Sequence, residues 1–300
     1  MISDTLGPAY ELRLSDGEQW FFAGIGGAKP FVEELSRVMG LVYNEDPGRN
    51  LMLFQPASMK ENTSAYPHAG GWHTIHQDEW QTITVRRSDE DPRLYLTSIT
   101  EAYLRLPCLP TSVRTLMDVI YAQAASRGGL PIHGGLLERD GKGVVIAASG
   151  ETGKTTCCRR IPRPWAAHCD DQVLITFDEF LGYRAHPFPN WNDVIIRRQA
   201  KHWNCSYSVK LAGIFFLQQA AIDGAACIGS GWAAIRLTDL CVEALDVFYF
   251  DSPPSALLKR LRRTLFINAA ALTKQVPVFE LSASLTGSFW ESIADALGME

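Results

Sequence analysis

One short stretch constrains this chain more than any other. Residues 147–156 read Ala-Ala-Ser-Gly-Glu-Thr-Gly-Lys-Thr-Thr, directly after the apolar run Val144-Val145-Ile146 and just before residues able to begin a helix. A strand, a glycine-containing loop and a helix in that order make a phosphate-binding unit. Successive backbone N–H groups turn toward phosphate oxygens, Lys154 reaches the β- and γ-phosphates, and the Thr155 hydroxyl coordinates Mg²⁺. The pattern departs from the usual one at its first position, where Ala148 stands in place of glycine. Gly150 and Gly153 remain to supply unusual backbone angles and close phosphate approach. The expected nucleotide-binding residues are therefore Ser149, Gly150, Glu151, Thr152, Gly153, Lys154, Thr155 and Thr156, with ATP and Mg²⁺ as the expected cofactors. The bland alternative is a chance Gly-Lys-Thr in a surface turn; the strand before it and an acidic pair after it weigh against that.

Three hundred residues fit one large or two medium domains. An apolar share of 46% and a charged share of 20% are those of an ordinary globular protein with room for a sizeable core. A net charge of −5 gives no electrostatic footprint for nucleic acid. No apolar run is long enough to span a membrane. The opening Met-Ile-Ser-Asp-Thr lacks the basic-then-apolar order of a secretory signal. The expectation is a cytoplasmic protein with neither nucleic acid nor membrane as partner. Cys108, Cys157, Cys158, Cys169, Cys205, Cys227 and Cys241 are odd in number, scattered and free of any Cys-x-x-Cys pair. They read as small core or half-exposed side chains rather than a disulfide framework.

Residues 1–108 read as an α+β domain and 109–300 as the nucleotide domain. Tyr10–Leu14 alternates like a half-buried strand and ends at the turn Ser15-Asp16-Gly17. Trp20–Phe22, Leu51–Phe54, Trp80–Val85 and Leu94–Leu96 read as further strands, the last two separated by the charged turn Arg86–Pro92, and Phe31–Met39 has helical spacing. His68, His73 and His76 fall in a polar stretch. A metal site there would need further ligands; Asp78 and Glu79 are near but no cysteine is, so a surface loop is expected. Ser112–Ala125 places Leu116, Val119, Ile120 and Ala124 on one helix face, and Arg127-Gly128-Gly129 ends it. Ile132–Leu137 is a strand, Arg139–Gly143 a hairpin turn and Val144–Ala147 the strand entering the phosphate loop. Leu211–Gln218 reads as a core strand, Leu257–Thr273 as a basic helix, and Val278–Leu281 as a strand followed by a turn and a terminal amphipathic helix.

Asp170 and Asp171 follow Ala166–Cys169 and precede Gln172–Ile175. On a strand the two carboxylates would face opposite ways. At a strand end, one can hold Mg²⁺ or its water while the other faces substrate; an exposed polar turn is the alternative. The phosphate loop upstream favours the first, because a Mg²⁺–nucleotide site needs an acidic residue on a neighbouring strand.

Residues 130–180 as a whole resemble the HPr kinase/phosphorylase family, whose P-loop fold is shared with phosphoenolpyruvate carboxykinase. The resemblance is carried by His133-Gly134 on a strand, the approach Gly141–Ile146, the loop ending Gly153-Lys154-Thr155, and Asp170-Asp171 followed by Val173. The later part is similar to a divergent, peptide-kinase-like branch found in gene cassettes for ribosomally made, modified peptides. Its carriers are His186–Trp191, Gly213–Leu217 and Leu285–Trp290. The resemblance implies an α/β P-loop kinase core of HPr kinase/PEP carboxykinase type behind the N-terminal α+β domain. It implies Asp170 as the general base, Asp171 as a Mg²⁺ ligand directly or through water, His133 near the transferring phosphate and Lys154 stabilising phosphate charge. These roles also make chemical sense, because a serine hydroxyl needs a base and the phosphates need cations.

Two departures matter. No Glu-x-Arg-Gly element follows the acidic pair; Asn190-Trp191-Asn192-Asp193 stands there. That argues against the reverse, phosphorylase reaction and against HPr as substrate. It leaves Asp193 either as a replacement metal ligand or as a cap for the stretch that follows. The family's catalytic arginine has no matching position; Arg260, Arg262 and Arg263 are candidates, against a solvated helix face. The expected activity is transfer of the γ-phosphoryl group of ATP to a Ser or Thr hydroxyl on a precursor peptide, which the N-terminal domain would hold by accepting it as an added strand. The alternatives are a small-molecule hydroxyl kinase and a non-catalytic nucleotide-binding partner or sensor. HPr kinases are commonly oligomeric, which makes a second copy of the chain a candidate partner.

Overall fold

A computed structural model of the chain describes residues 6–45, 50–58, 72–77, 81–86, 93–104, 113–245 and 255–299. The expectations placed on His68, Asp78, Glu79, Trp80, Cys108 and the turn beyond Arg86 fall outside the described residues. The chain divides into two compact units, Met1–Leu116 with Trp191–Ser206, and Met117–Asn190 with Tyr207–Glu300. The division is not the contiguous one at residue 108, because Trp191–Ser206 returns to the first unit.

The first unit holds β1 (Leu6–Arg13), β2 (Gln19–Ile25), α1 (Lys29–Met39), β3 (Val42–Asn44), β4 (Asn50–Pro56), β5 (Trp72–Gln77), β6 (Gln81–Arg86), β7 (Arg93–Ile99) and α2 (Glu101–Leu104). Its strands form one mixed sheet in the order β3-β1-β2-β4-β7-β6-β5. The β1–β2 turn falls at Ser15-Asp16-Gly17 as the alternation predicts, with Gly17 at φ 83°. β4 lies parallel to both β2 and β7, and the sheet is antiparallel beyond. His73 and His76 sit on β5, not in a surface loop; β-branched and aromatic neighbours let Trp72–Gln77 pair with β6 around a bulge. In α1, Phe31, Leu35 and Val38 are buried as their spacing predicts, and Phe31 packs on Phe54 at 5.4 Å between ring centroids.

α1 ends at Gly40, whose φ of 62° is left-handed. A Cβ there would come within 2.6 Å of the Trp203 carbonyl oxygen, so only glycine fits. The returning segment is fastened at this point: the Trp203 and Cys205 N–H groups donate to Val38 and Met39 carbonyls at 2.8 and 3.1 Å.

α3 (Val113–Ser126) is divided between the units. The second unit continues with β8 (Leu130–Arg139), β9 (Lys142–Ala147), α4 (Lys154–Arg160), β10 (Ala166–Cys169), β11 (Gln172–Asp178) and β12 (Gly182–Phe188). α5 (Trp191–Ile195) belongs to the first unit. β13 (Val209–Gln219), β14 (Gly224–Cys227), α6 (Ser230–Ala244), α7 (Ser255–Leu272), β15 (Val278–Ala283) and α8 (Phe289–Ala296) complete the second. Its mixed sheet runs β10-β8-β11-β12-β13-β15-β14, with β9 between β8 and β13. β8 is shared along its length: Leu130–His133 pairs with β11, and Gly134–Arg139 with β9. Because β9 also pairs with β13, β13 with β12, and β12 with β11, five strands close a circuit. β9, β13 and β15 are mutually parallel, and β9 and the middle of β13 read as nearly continuous apolar runs, as buried parallel strands do, while β15 alternates. They pack Val144, Ile146, Phe215, Leu217, Phe279 and Leu281 against Phe289 and Ile293 of α8. Each such side chain contributes about 1.5–3 kcal/mol on burial.

Candidate active site

The sheet order brings together residues that lie far apart in the sequence. β9 delivers the chain into the loop Ala148–Gly153, and α4 begins at Lys154. The loop's unusual backbone falls at Glu151 (φ 61°) and Gly153 (φ 109°) and not at Gly150, which lacks a positive φ and has open space where a Cβ would stand. Neither backbone angle nor packing thus requires glycine at 150, whereas the left-handed φ at Gly153 does. Thr152 Oγ1 ties the loop to itself, donating to the Ser149 carbonyl at 2.8 Å, and Gln219 at the end of β13 donates to the Thr152 carbonyl at 3.3 Å. Ser149, Gly150, Glu151 and Thr156 are exposed, and Thr152, Gly153 and Thr155 are half-buried.

Lys154 is buried, and its ammonium donates to the Ala148 and Ser149 carbonyls at 2.7 and 2.8 Å. Burial pushes its pKa below the ordinary lysine value; the charges of Asp171, Glu243 and Asp170 act the other way. The lysine is therefore a partly desolvated cation held by two loop carbonyls and felt by three carboxylates, where charge acts with less screening than in water.

Asp170 and Asp171 occupy the break between β10 and β11, where the sequence suggested a strand end. The Asp171 carboxylate accepts from His133 Nε2 of β8 at 3.0 Å, and the Gly134 N–H donates to the Asp171 carbonyl at 2.9 Å. The other aspartate accepts from Asn190 Nδ2 at 3.2 Å on one oxygen. The two carboxylates thus have different partners, His133 for Asp171 and Asn190 for Asp170. Gly135 makes this closeness possible: a Cβ on it would stand 2.5 Å from Cys158 Sγ of α4 and 3.6 Å from Asp170 Cα. The cysteines behind the site are packing residues. Burial raises the Cys157 thiol to about 11 and that of Cys169 to about 12, and the Cys158 and Cys169 thiols donate to backbone carbonyls.

His133, Ser149–Thr156, Asp170 and Asp171 thus all belong to the second unit. Asp193 does not. It lies on α5 in the first unit, wholly buried, with Arg197 Nη1 at 2.8 Å and Lys201 Nζ at 2.5 Å on its two oxygens. Burial pushes that carboxyl up, but the two cations outweigh it and hold its pKa below the usual range. It is the ion-pair hub of the returning segment. Arg260, Arg262 and Arg263 are exposed on α7.

Three side chains that touch these residues carry no signal in the sequence: Asn190 beside Asp170, Gln219 beside Thr152, and Glu243. The last is on α6 and accepts from the Ser149 hydroxyl at 3.1 Å. Among the described residues no three His, Cys, Asp or Glu side chains are gathered to hold a metal by themselves. The donor set still suits Mg²⁺ arriving with a nucleotide, since that ion takes one or two carboxylates and completes its shell with phosphate oxygens and water.

The second unit is thus a mixed α/β domain with a buried lysine after a strand–loop–helix turn and an aspartate pair whose charge acts on it. The sequence model of the SynChlorMet cassette protein ScmC matches residues 108–298, and the chain belongs to that family. A cassette protein is what its closing segments suggest. No curated protein matches the chain. No helix among the described residues is long and apolar enough to cross a membrane.

Proposed function

We propose that the chain is an ATP-dependent phosphotransferase that moves the γ-phosphoryl group to a Ser or Thr hydroxyl on a ribosomally made precursor peptide. One observation supports the reading: the charges of Asp171 and Asp170 both act on the buried Lys154 ammonium at the end of the loop that follows β9, and the two carboxylates have distinct partners. Mg²⁺, when bound, neutralises charge between the phosphates. The loop N–H groups and Thr155 hold the phosphate chain, and Lys154 offsets charge on its transferring end. Asp171, oriented by His133, would hold the ion directly or through water. Asp170, steadied by Asn190, takes the proton of the acceptor hydroxyl as its oxygen bonds to phosphorus and the bond to ADP breaks. Membership of a cassette family supports a peptide as acceptor.

A second reading, a nucleotide-binding partner that does not transfer, is favoured by one feature. The Lys154 ammonium and the Ser149 hydroxyl both have acceptors within the protein itself. The deciding experiment presents γ-labelled ATP, Mg²⁺ and the precursor peptides encoded beside the gene, and follows intact peptide mass. A gain of one phosphate supports the kinase. Nucleotide binding with no gain on any peptide favours the second reading.

A further inference from the structure

A carboxylate stands where an anion-binding loop should least tolerate one. Glu243 Oε1 accepts from the Ser149 hydroxyl at 3.1 Å, at the start of the loop proposed above to cradle phosphates. Its charge also reaches Lys154, on which it is the second strongest of the carboxylates after Asp171. Nothing local accounts for the placement. Glu243 is in the last turn of α6, a turn without basic residues, where a negative side chain opposes the partial negative charge of the helix end. It is exposed, so no packing requirement holds it, and among the described residues it forms no ion pair with a Lys or Arg. Its polar contact among the described residues is to the loop.

A phosphate chain seated against the loop would share the Ser149 end of it with this carboxylate. Two like charges so placed repel unless a cation offsets one of them. We infer that Glu243 makes the loop selective for phosphate chains whose charge is offset by a divalent cation, discriminating against metal-free nucleotide. This rests on the nucleotide-binding reading. Free nucleotide brings its full negative charge beside Glu243, Asp170 and Asp171; the metal-bound form brings much less. The carboxylate therefore weakens binding of the form that cannot react.

The test is Glu243→Gln, which keeps the side chain's shape and its ability to accept from Ser149 while removing the charge. Affinity for ATP is measured at low salt by calorimetry, once with excess Mg²⁺ and once with EDTA, on wild type and variant. The expected result is that the variant binds metal-free ATP about tenfold more tightly than wild type, with metal-bound affinity within about twofold, so that the preference for the metal-bound form narrows. An unchanged preference overturns the inference and leaves the nucleotide-binding reading intact. A loss of metal-bound affinity alone also overturns it, making Glu243 a metal ligand. Wild type that binds ATP in neither condition overturns both. Thermal melting of the variant at the wild-type temperature, expected for an exposed position, confirms that the comparison is between folded proteins.

Discussion

Lys154 is the residue on which the site's electrostatics turn, and its burial has a consequence away from any ligand. Its folded-state pKa lies below the ordinary lysine value of 10.5. Between the two values the unfolded chain binds more protons than the folded one, so stability rises with pH across that window and is lower beneath it. Lys154→Met removes this contribution. Urea unfolding of the two proteins from pH 7 to 10.5 should show wild type gaining stability relative to the variant as pH rises; a constant difference would contradict the burial argument. The same variant should bind nucleotide about 10–100-fold more weakly, the loss of one charge-assisted contact. Tyr207 makes the opposite case. Burial first, and then its hydrogen bond to Glu138 at 2.6 Å, raise its phenol to about 12. The stability it contributes is present below pH 10 and is lost as pH rises through about 12. Comparing alkaline absorbance titrations of wild type and Tyr207→Phe should assign the late-ionising phenol. At this scale the sequence marked out the loop lysine and the aspartate pair as candidates, because the strand, the glycines and the adjacent carboxylates are local patterns. It could not show Asn190 or Glu243, whose approach depends on strand pairing and helix packing over long separations.

The elements around the site are held close by glycines with different physical duties, and substitution should separate them. Gly153 needs a left-handed φ of 109°, so Gly153→Ala should cost about 1–3 kcal/mol and deform the loop. Gly135→Ala places a Cβ 2.5 Å from Cys158 Sγ, an overpacking cost of about 1–3 kcal/mol. Adding Cys158→Ala should restore part of that loss, a coupling that a double-mutant cycle in denaturant would measure. Gly150→Ala meets nothing within 4 Å and should leave stability within about 0.5 kcal/mol while still hindering phosphate approach. The strands and helices were legible where period and length were clear: β1, α1, β9, β13 and α8 all follow their apolar patterns. β5 was hidden because Trp72–Gln77 mixes histidine and polar residues without a clean alternation. The distribution of strain in the loop was hidden too, since Glu151 takes a positive φ that its residue type does not announce.

Across the whole molecule, the chain leaves the first unit and later returns to it. Trp203 and Cys205 are buried and bonded to the end of α1, so a fragment ending at residue 108 lacks part of its own core. Such a fragment should bind a hydrophobic dye and unfold at lower denaturant than the same strands in the full chain. Trp203→Ala in the full chain should cost about 3–5 kcal/mol. A boundary drawn from composition could not anticipate this, because the returning segment reads locally as a polar loop. What the family match and the fold leave to experiment is the reaction itself. The most direct measurement compares wild type with Asp170→Asn, binding of ATP with Mg²⁺ and transfer to the proposed precursor-peptide acceptor being followed on the same preparations. The account expects the variant to bind ATP within about threefold of wild type and to transfer phosphate about 10²–10⁴-fold more slowly. Transfer by the variant at the wild-type rate would contradict the role of Asp170, and a wild type that binds ATP yet phosphorylates no peptide would contradict the peptide-kinase reading.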